Sequence, residues 1–220
     1  LSSASIDYDK STETKTFHAF DISRSSKSAL FSITYPVFAV SNEGSRGHDN
    51  VLQIATEIDA AGQIYSSHSD RFQINVYDAG GRESLIINQK YKRIPLTDAE
   101  KKAISDPVMF KLNGKEFSKP APDYHQDIQG MIVRPNGDIW ALTSTWQGEM
   151  AVVDVFDRSG AFQRKMLTAH PTFFKTTGEF WEPGVKWHED HVYAIETNGE
   201  GAQVLKRYRV ETQSGDAKAE

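Results

Sequence analysis

Apolar and polar residues alternate in short runs through most of this chain, and the runs are bounded by Gly, Pro, Asn or Asp. A period of two in runs of strand length predicts β-strands rather than helices. Apolar runs such as Phe38-Ala39-Val40 and Met150-Ala151-Val152-Val153 are far shorter than the roughly 18 residues of a membrane-spanning helix. Three segments repeat one plan: Val51 to Ile87, Asp127 to Met166 and Glu182 to Glu211. Each holds a strand, a tight turn, a second strand ending in small polar residues, a loop and a third strand.

The turns carry physical reasons. Asn136-Gly137 is expected to supply the positive φ angles of a two-residue hairpin, and Ala61-Gly62 occupies the matching place. Ile64-Tyr65, Ile139-Trp140 and Val192-Tyr193 follow, a β-branched residue and then an aromatic one, as half-buried strands prefer. The third strands close on Tyr77-Asp78-Ala79-Gly80-Gly81 and Phe156-Asp157-Arg158-Ser159-Gly160. There the aspartate bonds the backbone of the turn it opens, and the glycine three residues on takes the left-handed position of a bulged hairpin. A fourth strand, Arg82 to Ile87 or Ala161 to Met166, then returns antiparallel. In the last copy Tyr208-Arg209-Val210 takes the third-strand place, with no evident fourth strand. Ile6 to Asp9 and Thr14 to His18 fit the third and fourth strands of an earlier unit. Ala29 to Val40 reads as one or two strands broken at Pro36.

Sequential four-stranded antiparallel units of about 40 residues are the pattern of β-propeller blades. A β-sandwich would account for the short strands but not for the returning order of turns. The expectation is an all-β chain: one partial propeller domain over residues 1–213, with about three to four blades visible, and a polar tail at 214–220. An insert at 88–124 separates the first two copies and is richer in charge and proline. Within it Thr97-Asp98-Ala99-Glu100 is a capping box that predicts a short helix from Asp98 to Ile104. The remainder, through Lys119-Pro120-Ala121-Pro122, is expected to be an extended loop.

Composition narrows the function classes. The 220 residues carry a net charge of −5, which offers no field for nucleic acid or anionic lipid. Cysteine is absent, so disulfides, thiolate metal sites and cysteine nucleophiles are excluded. The basic runs Lys90 to Arg93 and Lys101-Lys102 read as solvated faces. No Gly-x-Ser-x-Gly or phosphate-cradling glycine loop occurs, and Gly130, on a strand, reads as a close-packing position.

The segments DIQGMIVRPNGDIWALTS, VVDVFDRSGAFQRKM, VYAIETNGEGAQVLKRYRVE and RFQINVYDAGG, with the insert's IPLTDAEKKAI, resemble bacterial six-bladed β-propellers of the NHL and TolB-like type. The likeness covers most of Val51 to Glu211 and, more weakly, Ile6 to Val40. It rests on turn and core residues, so it speaks to fold more than to function. It implies a disc of blades around a central channel in a periplasmic, secreted or envelope-associated protein. Six blades need about 240 residues, and the chain begins at Leu1. An incomplete, C-terminal portion is therefore expected, with missing blades or a second copy completing the ring.

In such a disc the loops entering each blade and those joining second to third strands share one face. The entering loops hold His48 and Asp49, Tyr124 and His125, and Trp181 and Glu182; the others hold His68 and Asp70, Trp146, and Asn198. His48 and His125 occupy equivalent positions, and with His68 and Asp70 they offer the imidazole and carboxylate donors that suit zinc, iron or manganese. Oxygen donors at Asp49, Asn50, Glu182, Asn198 and Glu200 suit calcium. The candidate metal ligands are thus His48, His125, Glu182 and Asn198, although loop histidines also bond neighbouring backbone and Asn198 to Gly201 reads equally well as a turn. Calcium-dependent lactonases and esterases are built on six-bladed propellers, so the resemblance makes a metal-dependent hydrolase the alternative reading. Trp146, Trp181 and Tyr124 can stack on a sugar or a peptide, whereas Trp140 and Trp187, on strands, are expected inside. The primary expectation is a non-catalytic binding or scaffold propeller that presents loops to a protein or small ligand.

Overall fold

The computed structural model describes residues 2–21, 23–42, 45–49, 54–174, 185–188 and 191–210. Its regular structure is almost entirely antiparallel sheet. Strands β1 (Ser2–Asp7), β2 (Thr12–Asp21) and β3 (Ser26–Pro36) form a meander, followed by a hairpin of β4 (Phe38–Asn42) and β5 (Ser45–Asp49). A four-stranded sheet comes next: β6 (Thr56–Ile58), β7 (Ile64–Ser67), β8 (Gln73–Tyr77) and β9 (Glu83–Asn88). After helix α1 (Asp98–Ser105), β10 (Val108–Leu112) and β11 (Lys115–Ser118) make a second hairpin. The second four-stranded sheet holds β12 (Ile128–Val133), β13 (Ile139–Gln147), β14 (Met150–Phe156) and β15 (Phe162–Thr168). A 3-10 turn over Pro171–Phe174 precedes the last sheet, β16 (Val185–His188), β17 (His191–Thr197) and β18 (Gln203–Arg209). This all-β order, with strands adjacent in sequence adjacent in each sheet, is compatible with a propeller-like fold.

One turn design recurs. Asp78 Oδ1 accepts from the N–H groups of Gly80 and Arg82, and Asp157 Oδ1 from those of Ser159 and Ala161. Asp59 does the same for Ala61 and Gln63, and Asn198 for Glu200 and Ala202. The fourth residue of each turn is a glycine at positive φ: Gly62, Gly81, Gly160 and Gly201. The Asn136-Gly137 turn departs from the two-residue hairpin expected of it. Arg134 N–H donates to Asp138 O and Gly137 N–H to Arg134 O, both at 2.8 Å, and Gly137 alone takes positive φ. Pro135 sets the first central position of a type I turn, so this is the same bulged hairpin as its siblings.

Ala29 to Val40 does form two strands broken after Pro36, and the first of them, β3, pairs with β2 to make the first sheet three-stranded. The insert also differs from an extended loop. Asn113 (φ 50°) and Gly114 (φ 79°) close a two-residue hairpin between β10 and β11. This second hairpin packs on the first: the Phe38 and Phe110 rings lie 5.7 Å apart, and Gly47 leaves room for the Phe110 ring. The predicted helix is present, with Thr97 Oγ1 accepting from Glu100 N–H and Glu100 reaching back to Thr97 N–H.

Successive sheets stack face to face. Phe31 of β3 stacks on Tyr77 of β8 at 4.0 Å. One core joins Tyr65, Ile74, Val76 and Ile87 to Ile128, Ile139 and Phe156 of the next sheet; another joins Trp140, Val153 and Val155 to Phe174 and Trp187. Gly130 lies so close to Phe174 that a Cβ there would sit 2.1 Å from the Phe174 carbonyl oxygen. The close-packing role expected of Gly130 is the observed one.

Candidate functional site

The loop cluster is built around Asp127, a buried carboxylate just before β12. The insert supplies its cation: Arg93 Nε lies 3.3 Å from Asp127 Oδ1. The Phe72 backbone N–H also bonds this carboxylate, which brings the β7–β8 loop to the same place. Burial raises the Asp127 pKa above the usual carboxylate range, against the opposing pull of Arg93. With Nε committed, the guanidinium lies 4.6 Å over the Tyr124 ring, a cation–π contact.

Backbone bonds hold Tyr124 in place. Leu96 N–H donates to Asp123 O at 3.0 Å and His125 N–H to Ile94 O at 2.8 Å, flanking a bridge between Pro95 and Tyr124. Helix α1 clamps the same strip through Lys101 Nζ to Asp123 (2.8 Å) and Glu100 to His125 Nε2 (3.2 Å). Tyr124 is 40% exposed on a strip of backbone hydrogen-bonded on either side of it.

The β7–β8 loop contributes His68 and Asp70, with Nδ1 2.7 Å from Asp70 Oδ1. Burial lowers the His68 pKa more than Asp70 raises it, and the Asp70 backbone N–H lies 3.3 Å from the same Nδ1. The charge of Asp70 also bears on Asp127. Tyr124 and Asp127 thus share Arg93, and His68 and Asp70 form a neighbouring pair on the loop that also supplies Phe72.

The other candidates make different contacts. His48 and Asp49 sit on strand β5 rather than in a loop, and His48 Nδ1 is 3.4 Å from the Tyr8 hydroxyl. His125 is paired with Glu100. Trp146, near the end of β13, is 52% exposed. Asn198 spends its side-chain oxygen on its own turn. Trp181 and Glu182 lie outside the described residues. Among the described residues no three His, Asp or Glu side chains converge in a way that could hold a metal ion. Trp140 is buried, as its strand position predicts, whereas Trp187, expected inside as well, is half-buried.

Arg93 and Asp127 were not singled out by residue type. Arg93 belongs to a basic run that reads as solvated, yet it is the cation that holds the cluster. The one signal was position: Asp127 opens a repeat copy, two residues after His125. Chemically the cluster offers an aromatic face and a guanidinium fixed by a buried carboxylate.

Neither a scan against protein-family models nor a search of curated proteins finds a match for this chain.

Proposed function

We propose that this chain is a binding module of the NHL or TolB-like propeller type, acting outside the cytoplasm, that presents its loop cluster to a protein or small ligand without chemistry of its own. The observation that carries this reading is Tyr124: an exposed aromatic ring held between a stacked arginine and a bridged backbone. A ring ordered before binding loses little entropy on contact, which is what an anchor residue needs. Trp146, also exposed, is a second aromatic position open to a ligand.

The test is a peptide and glycan array probed with the purified full chain, then with Tyr124→Ala and Trp146→Ala. Binders lost with Tyr124→Ala support the reading. An array without binders, or binders indifferent to both substitutions, overturns it. Thermal unfolding in chelator and then in calcium, zinc or manganese separates it from the hydrolase alternative. A site occupied only in the native state must raise the midpoint.

A further inference from the structure

Asp154, in the middle of β14, is a carboxylate with no exposed surface. Three segments border it. In its own sheet β13 places Ala141 beside it and β15 places Lys165 on the other side. From the preceding sheet comes Gln89, one residue beyond β9, whose Nε2 donates to Asp154 Oδ2 at 2.9 Å. Lys165 is the charged group that bears on the carboxylate. Its Nζ stays 3.7 Å from Oδ1, beyond hydrogen-bond distance, on a side chain 54% exposed to water.

The contact between Gln89 and Asp154 is half satisfied. Asp154 Oδ1 and Gln89 Oε1 are both buried, and neither has a hydrogen-bond partner. Both are acceptors, so what the pair lacks is a donor. Turning the carboxamide over does not help, because it sets Oε1 against Oδ2 and loses the one bond present. Buried polar groups of native proteins are bonded with few exceptions, and two exceptions within one contact have a common remedy. That remedy is a single proton. Placed on Oδ1, it turns the carboxylate into an acid, and an acid and a primary carboxamide complement each other through two parallel hydrogen bonds. Burial, which disfavours the charged form, acts in the same direction.

We propose that Asp154 and Gln89 form a proton-operated latch between the two four-stranded sheets. In the protonated state Oδ1–H donates to Gln89 Oε1 while Nε2–H continues to donate to Oδ2, and two bonds join the sheets. On ionisation the proton leaves to solvent and Gln89 Oε1 loses its donor. Lys165, on the same sheet as Asp154, then becomes the partner of Oδ1. The proton thus moves Asp154 from a contact between sheets to a contact within one. The latch stands where the chain leaves β9 for the strip that carries Arg93. There Gln89 N–H donates to Phe72 O at 3.4 Å, and two residues on the Tyr91 hydroxyl meets Thr145 Oγ1 of β13 at 2.9 Å.

Carbon NMR of the isotope-labelled full chain, titrated over the range in which it stays folded, reads both side chains. The Asp154 carboxyl carbon should titrate above the ordinary value of 3.8. The Gln89 side-chain carbonyl carbon should titrate with it, because its oxygen gains a donor only in acid. Asp154→Asn presents an N–H where the acid has its O–H, so in that variant the Gln89 carbonyl should hold its acid-limit position at every pH. Lys165→Met should move the Asp154 transition to higher pH, with the two carbons still titrating together. A Gln89 carbonyl that stays still while Asp154 titrates would overturn the latch. So would one that keeps its bonded position at both limits in the wild type, which would mean a donor other than this proton. An Asp154 transition at or below 3.8 would overturn it as well. These wild-type readings decide the outcome even where a variant does not fold.

Discussion

β14 and β2 are both central strands of antiparallel sheets, but they are built to different rules. From Ala151 to Phe156 every residue of β14 is buried, on both faces. In β2 the buried Glu13 and Phe17 alternate with Thr14 and Thr16, whose hydroxyls bond Thr34 and Ser32 across the outward face at 2.9 and 2.8 Å. The cause is position in the stack. The sheet of β14 is covered on one side by β7, β8 and β9 and on the other by Phe174 and Trp187, so it reads as a continuous apolar run. Among the described residues the first sheet is covered only by its neighbour and reads as an alternation. The last sheet presents a third case, with buried Val192 and Ala194 inward and exposed Ile195 and Leu205 outward. A one-sided strand pattern thus marks an end of the stack, and the chemistry of the free face distinguishes the two ends.

Substitutions can break this comparison. Ile139→Ala, in the doubly covered sheet, should cost about 2–5 kcal/mol, read as a lower urea midpoint at unchanged slope. Gly130→Ala should cost about 1–3 kcal/mol through the clash with the Phe174 backbone; a neutral result would mean that these two sheets are not packed as described. On the outward hydroxyl face Thr16→Ala should stay within about 0.5 kcal/mol. A large loss there would show that this face is covered.

Two aspartates sharpen the contrast by pH. Asp154, inside the doubly covered sheet, accepts from Gln89 at 2.9 Å, while Lys165 stands 3.7 Å away. Burial raises its pKa in spite of both. Its ionisation therefore costs stability, a cost absent below the unfolded value of 3.8 and complete once pH exceeds the folded value. Asp154→Asn should raise the unfolding midpoint at pH 7 and lose that advantage in acid. Asp7, at the end of β1, has its pKa lowered by hydrogen bonds from Lys10. Its small contribution is present above the unfolded value and is lost as pH falls through the folded one, so Asp7→Asn should act in the opposite sense. Midpoints measured from pH 3 to 7 for both variants decide whether the two environments differ as described.

Much of this was legible in the chain. The Asp-x-x-Gly turns at Asp78 and Asp157 and the Thr97–Glu100 capping box are local, closed by bonds within five residues, and local chemistry suffices to specify them. Two of the three Asn-Gly pairs show where that reasoning ends. Asn113-Gly114 forms the two-residue hairpin that the dipeptide favours, while at Asn136-Gly137 the preceding Pro135 imposes a type I turn and the same dipeptide serves a bulged one. Period-two alternation marked most strands, but it could not assign β3 to the first sheet, because pairing partners are chosen by burial between sheets.

The loop cluster follows the same division. Tyr124, His68 and Asp70 stand out by residue type and loop position. The Arg93–Asp127 pair joins residues 34 apart in sequence, and nothing local distinguishes Arg93 from the lysines beside it. Strand periodicity, turn chemistry and helix capping are short-range effects carried by residue order. Which carboxylate is buried and which ring is held depend on desolvation and packing between distant segments, and those exist only once the sheets have stacked.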